Sequence, residues 1–238
     1  ASNSQTGYNA PNPLTPTPVF RVKRASDNLT VYSGPITAWK NGAVHDQSGD
    51  KVWHFDFTTL TEPGEYYLFD SLNNLRSWTF SIADCAFDAP LRAAQRALFY
   101  QRCGMPKALP FAEANWSDPL VCHRGNLQDN ACRNIQNPVA ASARDLHGGW
   151  HDAGDYNKYV TFTYGTLIDL LLAFEENPDA WTDDNDIPES GNGRPDLLDE
   201  VKYEIDWLRR MQGADGSVLS VVGVQNFAAA SPPGATPG

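Results

Sequence analysis

Gly148-Gly149-Trp150-His151-Asp152-Ala153-Gly154-Asp155-Tyr156-Asn157-Lys158-Tyr159 is the stretch on which the reading of this chain turns. It sets two carboxylates three residues apart, in a turn loosened by Gly154 and walled by Trp150, Tyr156 and Tyr159. Paired carboxylates beside aromatic rings suit acid–base chemistry on a sugar. A ring face stacks on a pyranose while one carboxylate activates water. A capped turn, with Asp side chains bonding nearby backbone amides, uses the same residues. The stretch alone leaves both readings open.

Downstream of it the apolar period is helical. Tyr164, Leu167, Ile168, Leu171 and Leu172 fall on one face, and Pro178 stops the run. A second helix opens at Pro195, carries Leu198, Val201, Ile205 and Leu208 on one stripe, and ends near Gly213. Upstream, Asp88 is an N-cap, Pro90 suits a first turn, and Leu91, Ala94 and Leu98 share a face of a helix ending near Cys103-Gly104. Long loops rich in Asn, Asp, Gly and Pro separate these helices and hold the residues of chemical interest.

Before Asp88 the period is two. Trp53, Phe55 and Phe57 alternate with His54 and Asp56, and Trp78, Phe80 and Ile82 with Thr79 and Ser81; Tyr66 and Leu68 share a face. Turn signals fall at Ser33-Gly34-Pro35, Asn41-Gly42, Ser48-Gly49-Asp50 and Glu62-Pro63-Gly64, the last in type II order. Short alternating strands predict a small antiparallel sandwich. Cys85 at its end reads as a buried thiol. The expected division is a tether over 1–17, a β-sandwich over 18–84 and a helical domain over 85–238. The end, Ala228 to Gly238, offers small residues and Pro with no closing element.

A net charge of −11 argues against nucleic acid and anionic membranes, which select basic surfaces, and leaves a neutral polysaccharide indifferent. No apolar run approaches the ~20 residues that span a bilayer. Ala1 to Pro18 reads as a tether or the mature end of a processed protein. Seven Trp in 238 residues leave some to spare for a cleft wall.

The Asp152-Ala153-Gly154-Asp155 string resembles the signature of family 9 glycoside hydrolases, the inverting cellulases. Ile187-Pro188-Glu189-Ser190-Gly191-Asn192-Gly193 with Pro195-Asp196-Leu197-Leu198-Asp199-Glu200, and Trp207-Leu208-Arg209-Arg210-Met211-Gln212, resemble further motifs of that family. The N-terminal part resembles the immunoglobulin-like module that precedes the catalytic domain in one subgroup. The resemblance implies an (α/α)6 barrel of twelve helices, of which this chain supplies three. The expected partner is therefore the C-terminal remainder of the barrel, missing or carried as a separate chain. It also implies secretion.

For the reaction, the resemblance implies Asp155 as general base and Asp152 as the residue that orients the water. The general acid is a Glu near the far end of the catalytic domain, and no residue here matches its motif. In an inverting enzyme acid and base stand ~6.5–9.5 Å apart, so two Asp this close in sequence hold one water between them instead. Trp150, Tyr156 and Tyr159 are candidates to line sugar subsites, with core packing as the alternative.

Cys103, Cys122, His123, His147 and His151 offer thiolates and imidazoles for a tetrahedral zinc, although the spacing matches no zinc-finger pattern. The resemblance implies a structural zinc on Cys103, Cys122 and His123, with His151 as fourth ligand and His147 as runner-up. Cys132 is left free or as a disulfide partner for Cys122. The oxygen-rich run Asp183 to Glu189 names Asp183, Asp186 and Glu189 for calcium, against a solvated acidic loop. The expected activity is hydrolysis of β-1,4-glucan with inversion. A non-catalytic carbohydrate-binding or scaffold protein is the alternative of another class, and an exo-β-glucosaminidase the variant within the family.

Overall fold

The chain folds into two compact units, Ala1–Asp88 and Ala89–Gly238. The structure, a computed structural model, describes residues 2–3, 14–124, 128–224 and 227. Most of the expected tether and the segment Ala228 to Gly238 lie outside the described residues.

The first unit is built of β1 (Ser2–Asn3), β2 (Val19–Arg24), β3 (Thr30–Ala38), β4 (Asp50–Lys51), β5 (Trp53–Phe55), β6 (Gly64–Asp70), β7 (Leu75–Arg76) and β8 (Phe80–Ile82). Six of them run in the order β5-β3-β2-β6-β7, with β8 beside β7 on the same edge of β6, and every pairing is antiparallel. β1 pairs with β4.

The expected turn at Ser33-Gly34-Pro35 is instead the middle of β3. Residues up to Pro35 pair with β2, and Ile36–Ala38 pair with β5. Pro35 has no N–H to give a ladder, and it sits where the strand changes partner, so the missing donor is tolerated. Glu62-Pro63-Gly64 is likewise no type II turn, because Gly64 lacks the positive φ that turn requires and simply opens β6. The turns that reverse the chain after β2 and β6 use Asn28 and Asn74, both left-handed. Asn tolerates this region because its short polar side chain bonds locally.

A chain of rings holds the strands together. Phe20 and Tyr32 meet Phe55, Phe55 meets Phe57, Phe57 meets Phe80, and Phe80 meets Tyr66. It runs from β5, at one end of the strand order, to β8 on the far edge of β6, so the sheet curls over its aromatic face. Such edge and tilted ring pairs add about 0.5–1.5 kcal/mol each beyond area burial. Trp78 does not join them. It is exposed, because the strand begins only at Phe80. Cys85 is also exposed, contrary to its reading as a core thiol. The last residues of the expected tether are docked: Asp70 accepts from the Thr17 amide, and Asn73 Nδ2 donates to Thr15 O.

The second unit is carried by α1 (Asp88–Gln101), α2 (Val160–Glu176) and α3 (Asp196–Met211), with β9 (Lys158–Tyr159) and β10 (Val221–Val222) as a short antiparallel ribbon. All three helices stand where the periodicity places them, but their buried faces are rotated. In α1 the buried residues are Gln95, Arg96 and Phe99, not Leu91 or Ala94. Arg96 reaches the carbonyls of Asn185, Asp186 and Phe111 and the Glu113 carboxylate, stapling two loops to the helix. In α3 the buried side holds Leu197, Val201, Trp207 and Met211 together with Glu200 and Glu204, while Ile205 is turned out. In α2 only Thr163 and Leu167 are buried. The expected stripe residues Tyr164, Ile168, Leu171 and Leu172 are 41–65% exposed.

Trp150, Leu167, Leu197 and Val201 form one core cluster, which draws Leu98 in from α1. Leu146, Trp207, Met211 and Val222 form another. Burying each aliphatic side chain contributes about 1.5–3 kcal/mol. No helix among the described residues is long and apolar enough to cross a membrane.

Candidate functional site

The end of α1 and the loop before α2 meet along their backbones. Cys103 N donates to Gly149 O at 2.7 Å, and His151 N donates to Gln101 O at 2.8 Å. Gly149 has φ +76, and a Cβ there would stand 2.6 Å from the Trp207 ring, so only glycine lets the loop cross α3 this closely. Glu204 of α3 takes the Trp150 amide at 2.7 Å. These contacts place His151 beside the end of α1 and project Asp152 into solvent.

At this junction Cys103, Cys122, His123 and His151 converge, all buried, with ligand atoms within 4.8 Å of one another. Cys122 Sγ lies 3.7 Å from Cys103 Sγ and 3.7 Å from His151 Nε2, and Cys103 Sγ lies 3.5 Å from His123 Nδ1. Zn–S bonds of about 2.3 Å and Zn–N bonds of about 2.0–2.1 Å at tetrahedral angles put two sulfurs about 3.8 Å apart, and sulfur and nitrogen about 3.5 Å apart. The four donors therefore fit a closed zinc site in kind and in spacing. The His151 ring is aimed by Nδ1, 3.1 Å from Tyr156 O, as ligating imidazoles usually are through their second nitrogen.

The electrostatics agree. The bond from Cys103 holds the Cys122 pKa well below the usual thiol range, with His151 and Lys107 assisting against burial. The same bond and burial push Cys103 up. Burial pushes His123 down, leaving a neutral imidazole able to ligate. His147, the runner-up ligand, is turned away and paired with Asp145. Cys122 and Cys132 are both free thiols, so the alternative disulfide is absent; burial pushes Cys132 up to about 11.

Asp152 and Asp155 occupy the turn that follows. Asp152 N donates to Asn157 O, and Asp155 Oδ1 accepts the Asn157 amide at 2.9 Å. The turn is thus capped as the simpler reading expects, while Asp152 keeps an exposed carboxyl. Burial, and then the charge of Asp155, push its pKa up. A cleft of about 110 Å³ opens beside it, lined by Gln101, Asp152, Tyr159, Phe162, Thr163 and Thr166 among others.

Of the three aromatic candidates only Tyr159 suits a sugar. Its ring is half-exposed, packs at a tilt against Phe162 with centroids 5.0 Å apart, and borders the cleft. Trp150 is 4% exposed and packs in the core, because its backbone is drawn inward by Glu204. Tyr156 is buried against the His123 and His151 rings, so it walls the metal cluster rather than a subsite. Phe162, in the first turn of α2, was legible in the sequence only as an aromatic three positions after Tyr159.

The acidic loop assembles differently from the expected calcium set. Asp186 pairs with Arg92, and Glu189 with Arg102, so neither joins Asp183. Asp183 comes together instead with Asp196 and Asp199. These three organise the loop: Asp183 accepts the Gly191 and Gly193 amides, Asp196 the Asn185 amide and the Ser190 hydroxyl, and Asp199 bonds Asn192 and Arg194.

Beneath the site lies a polar network that apolar periodicity does not reveal. Arg102 and Glu200, both fully buried, pair at 3.1 Å. The Arg102 guanidinium also covers the Tyr203 ring, whose hydroxyl donates to Cys103 O. Lys158 and Asp129 pair at 2.6 Å, both buried. Burial works to lower the Lys158 pKa, but the charges of Cys103 and Asp129 outweigh it and keep the ammonium charged.

Comparison with known proteins accords with this geometry. The profile of glycosyl hydrolase family 9 matches residues 87–230, and that of the cellulase N-terminal ig-like domain matches residues 5–70. Endoglucanase D of Acetivibrio thermocellus is 33% identical over 205 residues, covering 84% of this chain and 31% of its own length. A metagenome-derived glycoside hydrolase family 9 endoglucanase superposes with a TM-score of 0.70 at 32% identity, over 92% of this chain and 38% of that one. A Zn-binding triple mutant of the family 9 endoglucanase J30 superposes at 0.69 with 34% identity, over 87% and 38%. The chain thus spans about a third of the length of these relatives. With its family match over more than half of its residues, it belongs to glycosyl hydrolase family 9, behind an immunoglobulin-like N-terminal module.

Proposed function

We propose that the protein cleaves β-1,4-glucosidic bonds of cellulose or a related β-glucan with inversion. Asp155 is the general base and Asp152 positions the water. The observation that carries this reading is the Asp152–Asp155 turn itself. Asp152 is exposed at the mouth of a cleft that Tyr159 and Phe162 also line, Asp155 stands half-buried three residues on, and the loop is held from below by the buried bond from Trp150 N to Glu204. A carboxylate paired with a second one holds a water by two hydrogen bonds, takes its proton as it attacks, and leaves the anomeric carbon inverted. The acid that protonates the leaving oxygen belongs to the remainder of the catalytic domain. We assign the three helices to the first part of an (α/α)6 barrel; the exposed apolar side of α2 is the surface its neighbours in that barrel would cover. The proposal also puts the protein outside the cell, because a polymeric glucan cannot cross a membrane to reach it.

The same proposal assigns zinc to Cys103, Cys122, His123 and His151. A zinc with four protein ligands has no open position, so it supplies structure and no chemistry to the substrate. It fixes His151, and with it the peptide that leads into Asp152.

Replacing the base tests the reading. Asp155→Asn keeps shape and hydrogen bonding but cannot accept the proton, and the release of new reducing ends should fall by about 10²–10⁴-fold. Turnover within a few-fold of the parent protein would remove Asp155 from the mechanism. A binding-only protein would release no reducing ends in either form.

A further inference from the structure

Lys158 is fully buried, two residues after Tyr156 at the exit of the carboxylate loop. An ammonium has three protons, and each here has an acceptor. Lys158 Nζ donates to Leu146 O at 3.1 Å, to Gly148 O at 2.7 Å and to Asp129 Oδ2 at 2.6 Å. Leu146 and Gly148 are the entry of the same loop. One side chain therefore ties entry to exit, across the segment that contains Asp152 and Asp155. The third bond leads elsewhere: Asp129 Oδ2, which takes it, also lies 3.2 Å from Cys103 Sγ.

We propose that Lys158 is a positioning residue for the reaction at Asp152 and Asp155, clamping the two ends of their loop and linking that loop through Asp129 to the metal cluster. The clamp itself rests on contacts alone; its catalytic consequence rests on the glycosidase reading. Between the clamped ends, Asp152, Ala153 and Gly154 are exposed. The ties from His151 N to Gln101 O and from Trp150 N to Glu204 precede Asp152, and Asp152 N itself bonds across the turn to Asn157 O. On the far side of the carboxylate pair Tyr156 O meets His151 Nδ1, Asn157 Oδ1 accepts Val224 N at 2.8 Å and the backbone of β9 pairs with β10, and the Lys158 side chain is the tie that reaches back to the loop's entry. The bonds of Lys158 are charge-assisted and desolvated, which strengthens them. Placing a catalytic group about 1 Å wrong costs on the order of 10²-fold in rate.

The test is hydrogen exchange, read by mass spectrometry, on Lys158→Met, which keeps the length of the chain and removes the charge. Metal content and kinetics are measured on the same preparations, with the rest of the catalytic domain present. Exchange of the amides of residues 148–157 should rise at least about tenfold, with α3 and β6 unchanged, because local opening is set by the ties that hold a segment. In the kinetics kcat should fall about 10²-fold with KM little changed, as expected for lost positioning rather than lost binding. A folded variant with parental exchange over residues 148–157 overturns the clamp. Faster exchange spread evenly through α3 also overturns it, since that marks general loss of stability. A loosened loop with parental kcat overturns the positioning role. If Lys158→Met does not fold, Asp129→Asn replaces it: the same amides should exchange faster by a smaller factor, and parental exchange there overturns the proposal. Loosening of the loop in a protein whose parent cleaves no glucan supports the clamp and removes the glycosidase reading alone.

Discussion

Gly149 shows how a single residue decides the site. Its positive φ and its contact with the Trp207 ring forbid a Cβ from both sides. Gly149→Ala should destabilise the protein by about 1–3 kcal/mol from overpacking alone, with more from the left-handed backbone. A denaturant midpoint shifted by less than the equivalent of about 0.5 kcal/mol would mean the loop has another way across α3. Glu204 gives a pH signature. Burial raises its pKa from 4.5 to about 7, against the opposing bond from Trp150 N. A carboxyl whose folded pKa is raised contributes most when protonated. Its contribution is complete below about pH 4.5 and is lost as pH climbs through about 7. Glu204→Gln removes the titration and keeps the acceptor for Trp150 N. The stability of the variant relative to the parent should therefore grow between these limits, by on the order of 3 kcal/mol. Unfolding curves at pH 5 and pH 8 read it directly, and a constant difference at both would contradict it.

At the scale of elements, all three helices were legible from apolar spacing, but the rotation of their buried faces was not. Periodicity counts apolar residues, whereas α1 buries Arg96 and α3 buries Glu200 and Glu204 because each has a charged or backbone partner from another segment. Such partners lie about a hundred residues away in sequence, as with Arg102 and Glu200, and no local pattern encodes them. The Asp186 and Glu189 candidates failed for the same reason: an acidic run predicts a cation, and here the cations are Arg92 and Arg102. The Cys and His set was not legible from spacing, since its members come from the end of α1 and from two loops; the family resemblance supplied it. The elements meeting at this cluster should depend on the metal. The purified protein should carry about one zinc per chain, and its removal by a chelator should lower the melting temperature of the second unit and speed exchange around His151. Full stability and an unchanged loop after metal loss would deprive the cluster of its proposed role.

For the molecule as a whole, the division into a β module and a helical unit was visible in the switch from period two to period three and a half near Asp88. The exposed side of α2 carries Tyr164, Ile168, Leu171 and Leu172, too much apolar surface to be left in water. On the proposed mechanism the carboxylate pair also works with an acid from the remainder of the catalytic domain. Both features belong to the proposal that the helices are the first part of an (α/α)6 barrel, and the chemistry of the finished site is its central claim. Time-resolved proton NMR of a cello-oligosaccharide, incubated with this chain and the remainder of its catalytic domain, tests that claim most directly. A water held by Asp152 and Asp155 attacks opposite the leaving group, so the α-anomer should appear first and mutarotate later. Initial release of the β-anomer, or no release at all, would contradict it.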